Sequence, residues 1–276
     1  MNRIFIVGCA RSGTTLLQSM LASHPQLVGF TESHFFDKNF HNLLTNDKVY
    51  LPKMELKNNI VKFFYDNNID EDLIKQIQEN RKLRTAGSWT KDFIHVLDQY
   101  SERNNFEGWI EKTPPHLHHL NFINNMVQNV KFIHILRDGK NVVASMHEVA
   151  NKHPEVWGKR TLEDCVERWN NDLQISLEWI RNKDNHIGIR YEELLESPEY
   201  ILNILCNFIG IEYDSHMLNY RNATKDLVRK HEVWKSENFS SMKKTNRYDK
   251  LSNDKKQYIE SNLNFKEYYK YPYLLK

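Results

Sequence analysis

The run Gly8-Cys9-Ala10-Arg11-Ser12-Gly13-Thr14-Thr15 stands directly behind a short apolar stretch, Arg3 to Val7. Small residues and two glycines let a backbone curl around an anion. A helix that starts at Thr14 would point its first amide groups at that anion, with the helix dipole behind them. Thr14 and Thr15 add hydroxyl donors, and Arg11 adds a charge. A strand-turn-helix can also use Gly and Thr only as turn and cap residues. Here the strand, the loop and the helix come in the order a phosphate-binding loop requires. A nucleoside triphosphatase loop carries Lys and then Ser/Thr after its second glycine, to reach the β/γ-phosphates and Mg²⁺. This chain has Thr14 and Thr15 there, and its cation comes earlier, at Arg11. That order argues against metal-assisted triphosphate chemistry and favours one phosphate at the loop with no obligatory Mg²⁺.

A second anion site is legible further on. Phe132 to Ser145 reads FIHILRDGKNVVAS. Arg137 follows a buried strand, at the carboxyl end where open parallel sheets bind ligands. It can offer a planar fork to a phosphate, and Ser145, two turns into the next helix, can add a hydroxyl. By spacing alone Arg137 and Asp138 can equally be an ion pair or a helix cap. Glu32 follows a predicted second strand and can share a sheet edge with Arg11, as base or as a plain loop carboxylate. His34 is a rival base, because an imidazole titrates near neutral pH. Lys112 lies in Glu111-Lys112-Thr113-Pro114. Pro114 biases Thr113 towards an extended backbone, so Lys112 can point from a strand end into the same cleft.

These motifs resemble those of the sulfotransferases that use 3′-phosphoadenosine 5′-phosphosulfate (PAPS). Arg11-Ser12-Gly13-Thr14-Thr15 looks like the family loop for the 5′-phosphosulfate. Its extension through Leu16 and Leu17 to His24-Pro25 and Glu32 is most similar to the tyrosylprotein sulfotransferases and related bacterial and carbohydrate enzymes. Arg11 stands where many cytosolic members carry Lys. The resemblance implies that Glu32 is the catalytic base. It places Lys112 near the leaving oxygen or sulfuryl group, where it would form a positive clamp with Arg11. It puts Arg137 and Ser145 on the 3′-phosphate and Tyr191, in Arg190-Tyr191-Glu192-Glu193-Leu194, near the nucleotide. A late loop of the family also supplies cations over the nucleotide. In the basic tail (Arg229, Lys230, His231, Lys235, Lys243, Lys244, Arg247) Lys244 is the candidate, although the Arg-Lys-Gly signature of the cytosolic branch is missing. The implied donor is PAPS, the product is adenosine 3′,5′-bisphosphate (PAP), and no metal is required. The acceptor would be a small-molecule, glycan or peptide hydroxyl. Two other readings stay open: a nucleotide-dependent kinase with an atypical loop, for which Asp138 would have to hold Mg²⁺, and a non-catalytic nucleotide-binding module.

Strands alternating with helices must position these residues, which predicts an α/β fold: a P-loop-like parallel sheet flanked by helices. Strands are expected at Arg3 to Val7, Leu27 to Phe30, Gly108 to Ile110, Lys131 to Leu136 and His186 to Arg190. Helices are expected at Thr14 to Ser23, Pro114 to Val127, Asn141 to Val149, Thr161 to Ile180 and Pro198 to Ile209, with Gly210 as a cap and a last one near Asn253 to Asn262. Residues 34–100 read as a helical insertion or lid after the second strand, on the substrate side. Val61, Phe63, Phe64, Ile74, Ile77, Phe93, Val96 and Leu97 would pack it on the core. The whole 1–276 is read as a single domain.

The bulk numbers fit that reading. The 276 residues carry 38 basic and 36 acidic side chains, a net charge of +2, which makes no case for nucleic acid. Nothing approaches the ~18 apolar residues of a membrane span, and no signal peptide is legible. Cys9, Cys165 and Cys206 match no zinc or disulfide framework, so free buried thiols and a cytoplasmic protein are expected. His116, His118 and His119 lack the i, i+4 spacing of zinc pairs. The tryptophans, Trp89, Trp109, Trp157, Trp169, Trp179 and Trp234, read as core or lid anchors.

Overall fold

Strand β1 (Asn2–Val7) alternates its side chains between two apolar layers, with Ile4 and Ile6 on one face and Phe5 and Val7 on the other. A strand buried on both faces belongs in the middle of a parallel sheet. In the computed structural model, which describes residues 1–39, 53–79, 85–227 and 247–270, β1 takes that place. The other strands are β2 (Leu27–Gly29), β3 (Gly108–Lys112), β4 (Val130–Leu136) and β5 (His186–Arg190). The order is β2-β3-β1-β4-β5, all parallel. From β1 the chain goes to the edge strand β2, returns inward to β3, and then crosses β1 to β4 and β5 on the other side. The crevice at the carboxyl end of β1 is therefore the switch point where such sheets bind ligands.

Helices α1 (Thr14–Ala22), α10 (Tyr191–Glu196) and α11 (Pro198–Ile209) cover the face of Ile4 and Ile6. On the other face, the insertion contributes α2 (Phe35–Asn39), α3 (Lys53–Asp66), α4 (Glu71–Glu79) and α5 (Ala86–Arg103). Phe63, Phe64, Ile74, Ile77, Phe93, Val96 and Leu97 are buried in the same cluster as Phe5, Trp109 and Phe132, with Val61 packed against it. Phe35 stacks on Phe93 with ring centroids 4.2 Å apart. Each such ring removes enough apolar area from water to stabilise the fold by roughly 2–3 kcal/mol. Asp98 of α5 ties this layer to the sheet: it accepts from Arg3 on β1 at 2.8 Å and from the Trp109 indole on β3 at 2.8 Å.

Helices α7 (Gly139–Lys152), α8 (Pro154–Trp157) and α9 (Leu162–Asn182) complete the flank beyond β4, and Thr161 and Asp164 form a capping box at the start of α9. The helices differ from the expected ones in places. Pro114 to Val127 is a 3₁₀ segment, Pro114–His119, followed by α6 (Leu120–Met126). Two adjacent prolines withhold amide donors from a regular first turn, and the tighter turn brings His116 back to Glu111. A further short helix, Phe265–Tyr269, follows Asn253–Asn262. Its Tyr268 is buried against Trp169. Lys244 and Trp234 lie outside the described residues.

Candidate active site

The loop between β1 and α1 is built by three residues with positive φ: Gly8 at 149°, Arg11 at 74° and Gly13 at 95°. A Cβ on Gly8 would meet the Ile135 carbonyl at 2.5 Å, and one on Gly13 would meet the Tyr191 ring at 2.3 Å. Both glycines are therefore required by close approach as well as by φ. Arg11 is a non-glycine residue in the left-handed region, which is strained backbone of the kind that collects at ligand sites. No side chain among the described residues caps α1, so its first-turn amides face the loop.

On the β3 side of the loop, Lys112 is almost fully buried at the strand end. Its Nζ donates to Thr15 Oγ1 at 3.2 Å and to Glu32 Oε1. The sequence reading had ended β3 at Ile110. The strand runs on through Lys112, paired with Ile6, so the lysine is aimed by the sheet itself. His34 faces Glu32 Oε2 with Nε2 at 3.4 Å and Asp37 Oδ2 with Nδ1 at 3.0 Å. Burial alone would push its pKa down. The hydrogen bonds to Asp37 and Glu32 outweigh that and raise it. The two carboxylates thus favour the charged form of the imidazole.

On the β4 side, Arg11 donates from Nε to Ser145 Oγ at 3.0 Å. Arg137 donates to the Arg11 carbonyl at 3.1 Å and lies 4.2 Å over the Tyr191 ring. Arg247 donates to the same Ser145 hydroxyl at 3.4 Å and pairs with Glu148 at 2.9 Å. Burial, and then the charges of Arg247 and Arg137, push the Arg11 guanidinium down to about 10. These cations make the β4 side of the loop strongly positive, with Glu148 as the carboxylate paired to Arg247. Asp138 caps α7 by accepting from the Lys140 N–H at 2.8 Å, and Trp169 holds the Arg137 carbonyl at 3.1 Å.

The expected residues thus gather at one sheet edge as two groups. Glu32, Lys112, Thr15 and His34 stand on one side; Arg11, Arg137, Ser145 and Tyr191 stand on the other. Arg11 and Lys112, expected as one clamp, are held by different partners. Arg247, read only as part of the basic tail, joins the second group. Nothing in its local sequence separates it from its basic neighbours. His116 and His118 turn to different carboxylates, Glu111 at 2.9 Å and Asp172 at 2.8 Å.

Comparison with known proteins bears on the family and the fold. The model of the sulfotransferase family matches residues 3–215. The chain belongs to the sulfotransferase family. Among curated relatives, an uncharacterized protein of Aquifex aeolicus is 26% identical over 90% of this chain and 31% of its own length. Protein-tyrosine sulfotransferase 1 of Danio rerio is 24% identical over 80% of this chain and 56% of its own. The chain thus spans about half or less of these relatives. The sulfotransferase domain of the Synechococcus PCC 7002 olefin synthase shares the fold with a TM-score of 0.66, at 20% identity over 94% of both chains. A mouse sulfotransferase complexed with PAP does so with a TM-score of 0.53, at 14% identity over 94% of this chain and 82% of its own. Among the described residues, no helix of this sulfotransferase-family chain is long and apolar enough to cross a membrane.

Proposed function

We propose that this chain transfers a sulfuryl group from PAPS to a hydroxyl acceptor, with Glu32 as the base. One observation carries the reading: two cationic groups flank a single phosphate-type loop, with Lys112 on Glu32 on one side and Arg11 and Arg247 on the Ser145 hydroxyl on the other. A donor with a phosphosulfate at one end and a separate phosphate at the other needs that division. The loop residues Ser12, Gly13, Thr14 and Thr15 would take the 5′-phosphosulfate. Arg11, Arg137, Ser145 and Arg247 would take the 3′-phosphate, with Tyr191 beside the nucleotide.

In the reaction the acceptor oxygen forms a bond to sulfur as the bond from sulfur to the 5′-phosphate oxygen breaks. Glu32 takes the hydroxyl proton, and Lys112 supports the charge that collects on the departing oxygen. The products are a sulfate ester and PAP. Glu32 and Lys112 are in contact, so base and cation stand side by side where the acceptor hydroxyl and the departing oxygen would both be met. The charge that develops is met by side-chain cations, and no metal is needed in this scheme. Relatives named protein-tyrosine sulfotransferase support a tyrosyl hydroxyl as one acceptor class. Small alcohols and glycan precursors fit a cytoplasmic site of action, which the three free, buried thiols support.

Incubation with PAPS and a panel of phenols, tyrosyl peptides, sugars and alcohols, read by mass shift, tests the class. Glu32→Gln should keep PAP affinity and lose about 100-fold or more in turnover. Retained turnover would remove Glu32 from the role. Phosphate transfer from ATP/Mg²⁺ without any PAPS dependence would remove the whole reading.

A further inference from the structure

Under the candidate base lies a buried set of polar residues that the transfer chemistry does not itself use. Glu111 is fully buried and stands immediately before Lys112. Its Oε1 accepts from the Ser33 N–H at 3.2 Å, the Ser33 hydroxyl at 2.7 Å and the Thr113 hydroxyl at 2.6 Å. Its Oε2 faces His116 Nδ1 at 2.9 Å. Thr113 Oγ1 in turn accepts the His34 N–H at 3.3 Å. Three consecutive residues at the end of β3 thereby grip three consecutive residues after β2: Lys112 with Glu32, Glu111 with Ser33, Thr113 with His34.

We propose that Glu111 and His34 are positioning residues for Glu32: Glu111 fixes the 32–34 turn through Ser33, and His34, braced by Asp37, holds the carboxylate oxygen not bonded to Lys112. The inference rests on Glu32 being the base. The turn is a forced one, with His34 at φ 51° in the left-handed region, and a buried carboxylate with four partners supplies the constraint. The arrangement matters once Lys112 engages the sulfuryl group. Glu32 then keeps a second cationic partner and stays ionised and aimed. The charged groups around His34 support this. Glu32 adjoins it from its own segment and Asp37 from α2, while from β3 Lys112 reaches Glu32 and Glu111 holds Ser33. His116 stands beyond Asp37 at 3.5 Å, and the field of Arg168 on α9 also acts on Asp37. The carboxylates nearest the ring hold His34 towards its protonated form.

The test compares His34→Gln and the milder Ser33→Ala with wild type, in PAP binding by calorimetry and in PAP release from PAPS with the acceptor panel across pH. The imidazole ¹⁵N shifts of His34 are read in PAP-loaded protein. His34→Gln should bind PAP within about threefold of wild type and lose about tenfold in kcat, the worth of one charge-assisted hydrogen bond. Its acidic limb of kcat should move to higher pH, because Glu32 loses a cation that favours its ionised form. Ser33→Ala should move the limb the same way by less, and the wild-type His34 ring should titrate above the ordinary imidazole value. A purely structural role would leave the limb in place. An unmoved limb, or a His34 ring that titrates at or below the ordinary imidazole value, overturns the proposal. So does loss of turnover by His34→Gln at every pH, which would make His34 itself the proton acceptor. Failure of the Glu32 assignment is read separately, as turnover retained by Glu32→Gln.

Discussion

Arg11 and Arg247 donate to one buried hydroxyl, Ser145, while Arg137 reaches the Arg11 carbonyl. Burial, and after it the charges of Arg247 and Arg137, depress the Arg11 guanidinium, so like charges at such distances add to a desolvation cost that an anion would offset. An anionic phosphate group would turn the repulsion into charge-assisted hydrogen bonds. Each of these is worth about 1.5–3 kcal/mol. Arg247→Ala and Arg137→Ala should therefore each weaken PAP binding about 10- to 100-fold and flatten its salt dependence. Calorimetry at low and high salt checks this. Unchanged affinity in Arg247→Ala would move the closing cation elsewhere in the basic tail. Arg137 has a further role that a charge count misses. It stacks on Tyr191, whose ring also leaves no room for a side chain at Gly13, so one tyrosine supports both the loop and the second site.

Parallel strands deliver their last side chains to one edge, and each strand here does so differently. β3 delivers a lysine. β4 leads to Arg137, with α7 capped by the next residue. β5 leads to Tyr191. Between β4 and β5 lies a pair with no place in the chemistry: His134 Nε2 and His186 Nδ1 are 2.8 Å apart in the core, with His186 stacked between Phe132 and Trp179. Burial lowers both pKa values, that of His186 to about 3, and so holds both rings neutral. Unfolded, each would titrate near 6.5. The folded protein then binds fewer protons than the unfolded chain below that value. The neutral pair's contribution is fully present above pH 6.5 and is lost as pH falls from 6.5 towards 3. The double variant His134→Val, His186→Phe should show a flatter fall in stability across that window. Denaturant midpoints measured at several pH values test it, and an equally steep fall would assign the acid sensitivity to other groups.

At the scale of the whole molecule, the order β2-β3-β1-β4-β5 makes β1 the boundary between the two cationic groups. The aromatic layer of α3, α4 and α5 buttresses the β3 side. The C-terminal segment returns to the β4–β5 side. There Tyr268 accepts from Arg190 at 3.1 Å and donates to Glu192 at 2.7 Å, and Tyr269 donates to Asp138 at 2.9 Å. A ligand that spans the switch point joins both halves, so it should stabilise the fold as a whole. PAP at 100 times its dissociation constant should add about 2.7 kcal/mol, read as a rise in unfolding temperature that grows with the logarithm of its concentration. Absence of any rise would mean that the ligand does not select the native state.

The periodicity of the chain determined the five strands and the order of the elements around the loop, because burial on both faces of a parallel strand leaves long apolar runs such as FIHIL. It also determined the loop, since few residue types tolerate its backbone. What each cation touches was decided only by the tertiary structure. Spacing placed Arg11 and Lys112 near one cleft, but the register of β3 on β1 sent the lysine to Glu32, and the distance to α7 let Arg11 reach Ser145. Arg247 and the Glu111–Ser33 grip were invisible for the same reason. Their partners lie 102 and 78 positions away along the chain, and no local pattern records a contact that only folding creates.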